Sequence, residues 1–105
     1  MPTFAVIGFD RRPKDAQLRE THRADHRAYV SGNLESLLCA GAMLDDDRSQ
    51  CGSLYLFQAD SVDQVREWLA KEPFVANGIY ETLAVREIET SKLWTVPAEP
   101  PAFDL

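Results

Sequence analysis

Two histidines occur in the chain, His22 and His26, and both fall in the segment 21–30 (THRADHRAYV). Four residues apart, they share one side of a helix. That spacing suits a metal, but a third ligand and the HExxH arrangement are both lacking, so no metal is assigned. His26 also falls in line with Val30, Leu34 and Leu37 along a continued helix, which turns it toward the apolar interior. Two readings fit that position. In one, His26 is a core-edge side chain hydrogen-bonded to a backbone carbonyl. In the other it is a general base, since the histidine reference pKa of about 6.5 lies near neutrality. A carboxylate on its other ring nitrogen then fixes the tautomer and stabilises the imidazolium.

The remaining reactive side chains offer less. Cys39 and Cys51 lack the company needed for a zinc site, and both read as reduced packing residues. Asp45, Asp46 and Asp47 lack the alternating oxygens, glycine and distal glutamate of a calcium loop, and read as solvated. With a net charge of −6, and a densest basic group of only Arg11, Arg12 and Lys14, the chain is not expected to bind nucleic acid or an anionic membrane. No apolar run is long enough to span a bilayer, and the first residues, MPTFAVIGFD, lack the basic start of an export signal. The expectation is a cytoplasmic protein.

The elements that must position His26 follow from length and periodicity. At 105 residues, 45% of them hydrophobic and 27% charged, the chain has the make-up of one globular domain. Residues 3–9 (TFAVIGF) read as a central strand. Residues 14–40 carry helical spacing, with a kink or break at Ser31, Gly32 and Asn33, and Gly41 ends that stretch. A short strand is expected at 42–44 and a clear one at 52–59. Ser61 and Gln64 form a capping-box signature ahead of a helix carrying Val62, Val65, Trp68 and Leu69. Pro73 interrupts that helix, 74–77 adds a turn, and 79–88 alternates as a last strand with Leu83 and Val85 on one face. The domain is taken as 1–89, with a Pro-rich tail at 90–105.

The order β-α-β-β-α-β predicts a ferredoxin-like α+β fold, a four-stranded antiparallel sheet with two helices on one face. Phe4, Val6, Tyr55 and Phe57 look like more apolar surface than two helices can cover. An uncovered sheet face then becomes an interface or a pocket, and a homodimer is expected, with the tail reaching over the partner.

Several segments carry a family resemblance. Arg23-Ala24-Asp25-His26, followed by Leu37-Leu38-Cys39-Ala40-Gly41, resembles the R-P-x-H and L-L-x-x-G-P motifs of YCII-related proteins. Residues 61–80 (SVDQVREWLAKEPFVANGIY) resemble that family's S-x-x-x-A-x-x-W-x-x-x-D-P-[FY]-x-x-A-G-[VL]-[FY] block, and the likeness extends from about Phe4 to Ile88. It implies a ferredoxin-like fold of the dimeric α/β-barrel type and a pocket with a histidine–carboxylate dyad, in which the histidine falls on His26. The family's acid falls on Glu72, one methylene longer, while Ala24 and Ala42 stand where the motifs have proline. The activity implied is that of a cofactor-independent lyase, a dehydrochlorinase acting on a chlorinated hydroxyquinol, or an isomerase.

Other pocket residues keep two readings each. Arg23, one turn before His26, holds an oxyanion or pairs with Glu20 or Asp25 at the surface. Phe74, after Pro73, stacks on an aromatic substrate or packs in the core. Tyr55 and Tyr80 line the open sheet face or fill a dimer core, and Trp68 reads as core. Asp10 and Asp25 are alternative partners for His26, with Asp25 pointing to another side of the helix. Beside the enzyme stand two other readings, a small-molecule-binding module without turnover and a purely structural dimer. A small-molecule substrate, no cofactor and no metal complete the expectation.

Overall fold

The run TFAVIGFD forms β1 (Thr3–Asp10), its branched and aromatic side chains suited to a pleated surface. Asp15 caps the next element by accepting from the Leu18 backbone N–H at 3.0 Å, which starts α1 (Ala16–Ser31). The computed structural model describes residues 1–33 and 36–90. Beyond α1 it contains β2 (Leu37–Leu44), β3 (Gln50–Gln58), α2 (Val62–Lys71), α3 (Pro73–Ala76) and β4 (Tyr80–Ile88). The expected tail at 90–105 lies almost wholly outside the described residues, as does Leu34.

All strand pairs are antiparallel and the sheet order is β2-β3-β1-β4, which puts β1 and β3 in the centre. This is the ferredoxin-like arrangement expected from the element order. One boundary differs from expectation. Residues 37–40 were expected to extend the first helix, yet they open β2, because Leu37 pairs with Phe57 and Ala40 with Tyr55. Leu, Cys and Ala fit helical spacing locally, and the long-range ladder with β3 overrides that weak preference.

Register decides which side chains face the helices. Phe4 pairs with Phe57 and Val6 with both Tyr55 and Val85, so one face gathers the aromatic and branched residues. Val30 from α1, and Val65 and Leu69 from α2, pack on that face and close a core in which Val6 and Val30 are fully buried. Each such burial is worth roughly 1.5–3 kcal/mol. Trp68 packs its ring edge-on to Phe57 at 4.7 Å, and Tyr29 donates from its hydroxyl to the Trp68 carbonyl at 2.7 Å.

The expectation that Phe4, Val6, Tyr55 and Phe57 form surplus surface is therefore corrected: the helices cover them. Because side chains alternate along a strand, the opposite face carries Ile7, Phe9, Met43, Leu54, Leu56 and Ala84 instead. Phe9 is exposed and the others are half-buried.

Two local devices hold the site end of the sheet. Asp45 in the β2–β3 turn bonds Lys14 at 2.5 Å and Arg12 at 3.0 Å, clasping the β1–α1 loop to that turn. Gly8 leaves room for the Tyr80 ring, since a Cβ there would sit 2.8 Å from its Cδ1.

Candidate active site

His26 sits on the inner side of α1, one turn before Val30, with its side chain 15% exposed. Its Nδ1 bonds Oε1 of Glu72 at 2.5 Å. Glu72 is fully buried and stands between two helices, ending α2 and capping α3. The second carboxylate oxygen, Oε2, accepts from the Val75 backbone N–H at 3.1 Å. Pro73 at the first position of α3 suits this corner, because its missing N–H would have had no partner there. Both carboxylate oxygens are thus engaged, and the carboxylate has little freedom to rotate. The Phe74 ring lies parallel to the imidazole, with centroids 3.9 Å apart and an 8° tilt. With Nδ1 held by Glu72, the nitrogen left for a ligand is Nε2.

A cavity of about 320 Å³ opens beside this pair between α1 and the sheet. Its walls include Arg19, Arg23, His26 and Arg27 from α1, Phe74 from α3, and Ala40, Ala42, Gln50, Ser53 and Tyr55 from β2 and β3. The small side chains of Ala40 and Ala42 lie on the helix-facing side of β2 and leave the space open.

Of the residues singled out from sequence, Arg23, His26, Tyr55 and Phe74 line the cavity, and Glu72 stands behind His26. Arg23 also bonds Glu20 at 3.0 Å, the surface ion pair that was one of its two readings. Tyr80 is not a lining residue; its hydroxyl donates to Ser53 Oγ at 2.8 Å and positions that serine. Pro73 shapes the α2–α3 corner and does not reach the cavity. Tyr55 and Tyr80 lie on the helix-covered face, which corrects the reading that put them on the open one. Burial raises both phenols above the ordinary tyrosine value, Tyr55 by much, so both remain neutral hydroxyls near neutral pH. Asp10, an alternative partner for His26, instead binds Arg19. His22 is not among the lining residues. Among the described residues no three His, Cys, Asp or Glu side chains come together to hold a metal ion.

Sequence reasoning missed Arg19, Arg27, Gln50, Ser53 and the two alanines. Arg19, Arg23 and Arg27 recur every four residues along α1, and Arg19 lies two turns before His26. That periodicity was the available signal for the arginines.

The profile of the YCII-related domain matches residues 3–89. No curated protein matches the sequence. Among solved structures, the chain is similar to a 5-chloro-2-hydroxyhydroquinone dehydrochlorinase from Burkholderia phenoliruptrix in complex with 2,5-dihydroxybenzoquinone. The identity is 26%, the alignment covers 83% of this chain and 93% of that one, and the TM-score is 0.75. A NIPSNAP family protein from Agrobacterium tumefaciens matches at 16% identity, covering 93% of this chain and 98% of that one, with a TM-score of 0.53. Rv0793 from Mycobacterium tuberculosis matches at 14% identity over 90% of this chain and all of its own, with a TM-score of 0.52. The last two show the fold alone.

Proposed function

Since the chain belongs to the YCII-related domain family, we propose that it is a cofactor-independent lyase in which His26, oriented by Glu72, moves protons on a small hydroxylated ring. The observation that carries this reading is that His26, at the wall of a cavity, bonds a fully buried carboxylate behind it through Nδ1 at 2.5 Å. A carboxylate accepts hydrogen bonds and cannot donate, so neutral His26 must carry its proton on Nδ1. Its Nε2 lone pair then faces the ligand space as a base.

The specific reaction supported by the dehydrochlorinase neighbour is loss of hydrogen chloride from a chlorinated hydroxyquinol. The balance needs no oxidant. Two hydroxyl protons leave, one proton is delivered to the ring carbon bearing chlorine, and chloride departs as the ring becomes a hydroxyquinone. His26 takes the first hydroxyl proton at Nε2, and the imidazolium formed, held by Glu72, is a proton source for the ring carbon. Loss of the second hydroxyl proton accompanies chloride departure. Phe74 holds the imidazole plane, and Tyr55 and Ser53 supply neutral hydroxyls at the far wall.

The apolar face of Ile7, Phe9, Leu54, Leu56 and Ala84 supports pairing with a second copy of the chain. The test is incubation with 5-chloro-2-hydroxyhydroquinone under exclusion of oxygen. Chloride and hydroxyquinone should appear in equal amounts, and His26→Ala, folded by circular dichroism, should produce neither above background. Undiminished release from His26→Ala, or none from the unaltered protein, overturns the reading.

A further inference from the structure

The three arginines on the cavity wall, Arg19, Arg23 and Arg27, stand four residues apart on α1. Four residues exceed one helical turn, so each arginine is rotated about 40° round the axis from the one before. The row therefore winds out of the interior: Arg19 is buried, Arg23 half-buried and Arg27 exposed. Carboxylates partner the first two, Asp10 on Arg19 and Glu20 on Arg23. Arg27 makes no ion pair among the described residues. Its neighbour one turn back is Arg23, and like charges at that spacing repel.

Facing this row is β2, the edge strand of the sheet, which contributes Ala40, Gly41 and Ala42 to the cavity. A Cβ placed on Gly41 would meet no atom within 4 Å, so that side is roomy. No acidic side chain lines the cavity among the described residues. In a chain of net charge −6, a mouth carrying two guanidiniums is a local reversal of sign. His26 lies three residues after Arg23 and one before Arg27, so the two flank the base. A volume of about 320 Å³ falls at the lower end of the range that encloses small organic ligands, and a single ring with one short arm fits it.

We propose that the substrate is a hydroxylated aromatic acid, its ring hydroxyl at His26 Nε2 and its exocyclic carboxylate held at the cavity mouth by Arg27, with Arg23 beside it. A guanidinium fork matches the two oxygens of a carboxylate. The acid arm is a handle: it exchanges no proton and leaves the elimination as written above. Arg27 is then the residue that separates aromatic acids from bare phenols. This deepens the lyase reading by naming the substrate class, and it rests on that reading only for the placing of the ring hydroxyl.

The probe is 2,5-dihydroxyphenylacetate, compared with its methyl ester by equilibrium titration near neutral pH. Both ring hydroxyls are neutral there and the arm of the acid is ionised, so the comparison reads the charge of the arm. The unaltered protein should prefer the acid by at least about fivefold, the scale of two solvent-exposed ion pairs. Arg27→Gln should lower that preference, and Arg23→Gln/Arg27→Gln should bring the two affinities within about twofold of each other. Both side chains reach solvent, so neither change threatens the fold. Equal affinity of the unaltered protein for acid and ester, or no saturable binding of the acid, overturns the proposal without any variant. So does a preference unchanged in Arg27→Gln or retained in the double variant. Arg27-dependent preference without chloride release from 5-chloro-2-hydroxyhydroquinone refutes the lyase reading alone; His26-dependent release with equal affinities for acid and ester refutes this one alone.

Discussion

Replacing Glu72 with Gln separates what the carboxylate does for the fold from what it does for His26. The side chain is fully buried, and its two oxygens accept from two donors, His26 Nδ1–H and the Val75 backbone N–H. A glutamine has one oxygen and one amide NH₂ for the same two places. With its oxygen toward His26, the NH₂ faces the Val75 N–H, donor against donor, at a cost of about 1–3 kcal/mol. With the amide reversed, its oxygen caps Val75 and its NH₂ donates to Nδ1, provided the imidazole carries its proton on Nε2. The reversed form satisfies every group, so it dominates by roughly fivefold to more than a hundredfold. Stability should change by less than about 1 kcal/mol, since the cap is retained. The base is lost, because Nε2 now holds a proton, and the rate of hydroxyl deprotonation should fall by about 10²- to 10⁴-fold. Nitrogen-detected NMR reads the tautomer directly, and only His22 must be told apart from His26. Neutral His26 should be protonated on Nδ1 in the unaltered protein and on Nε2 in Glu72→Gln. A variant that keeps the proton on Nδ1, or keeps its rate within about threefold, refutes the argument.

Other consequences follow from the cavity and its supports. Ala42→Leu fills the space on β2 and should weaken binding of 2,5-dihydroxybenzoquinone at least about tenfold while shifting the melting temperature by only a few degrees, since residue 42 is exposed. Gly8→Ala sets a methyl 2.8 Å from the Tyr80 ring and should cost about 1–3 kcal/mol in urea unfolding, with loss of the Ser53 hydrogen bond. Lys14 and Arg12 hold the Asp45 carboxyl below its ordinary value of 3.8. The clasp is therefore intact above that value and lost as pH falls through the lower folded value, so Asp45→Asn should flatten the acid limb of a melting-temperature profile. Burial raises the phenols of Tyr55 and Tyr80 above the ordinary 10.0. Their contribution is full below that pH and declines above it, and Tyr80→Phe should reduce the alkaline loss of stability.

The central strands and the capped α2 were legible because their signals are local. Branched residues in 3–9, Ser61 with Gln64 and the Pro73 break each act within a few residues, and the observed elements begin or end close by. The β2 strand was largely hidden because residues 37–40 have helical spacing as well, and only the distant partners Phe57 and Tyr55 settle the matter. The same error concealed Ala40 as a cavity wall. Glu72 was visible through the family's acid-proline motif, but its double engagement was not, since a sequence does not show which oxygen meets which donor. Arg19 was overlooked because an arginine on a helix reads as solvated surface, and its burial depends on Asp10 arriving from the end of β1.

Chloride release from 5-chloro-2-hydroxyhydroquinone by the unaltered protein, His22→Gln and His26→Gln, at equal concentration of folded protein, separates proton transfer by His26 from the effect of a folded cavity alone. The first two should release chloride at equal rates, and His26→Gln at least about a hundredfold more slowly. Release by His26→Gln as fast as by the unaltered protein, or release by none of the three above the reaction without protein, contradicts proton transfer by His26.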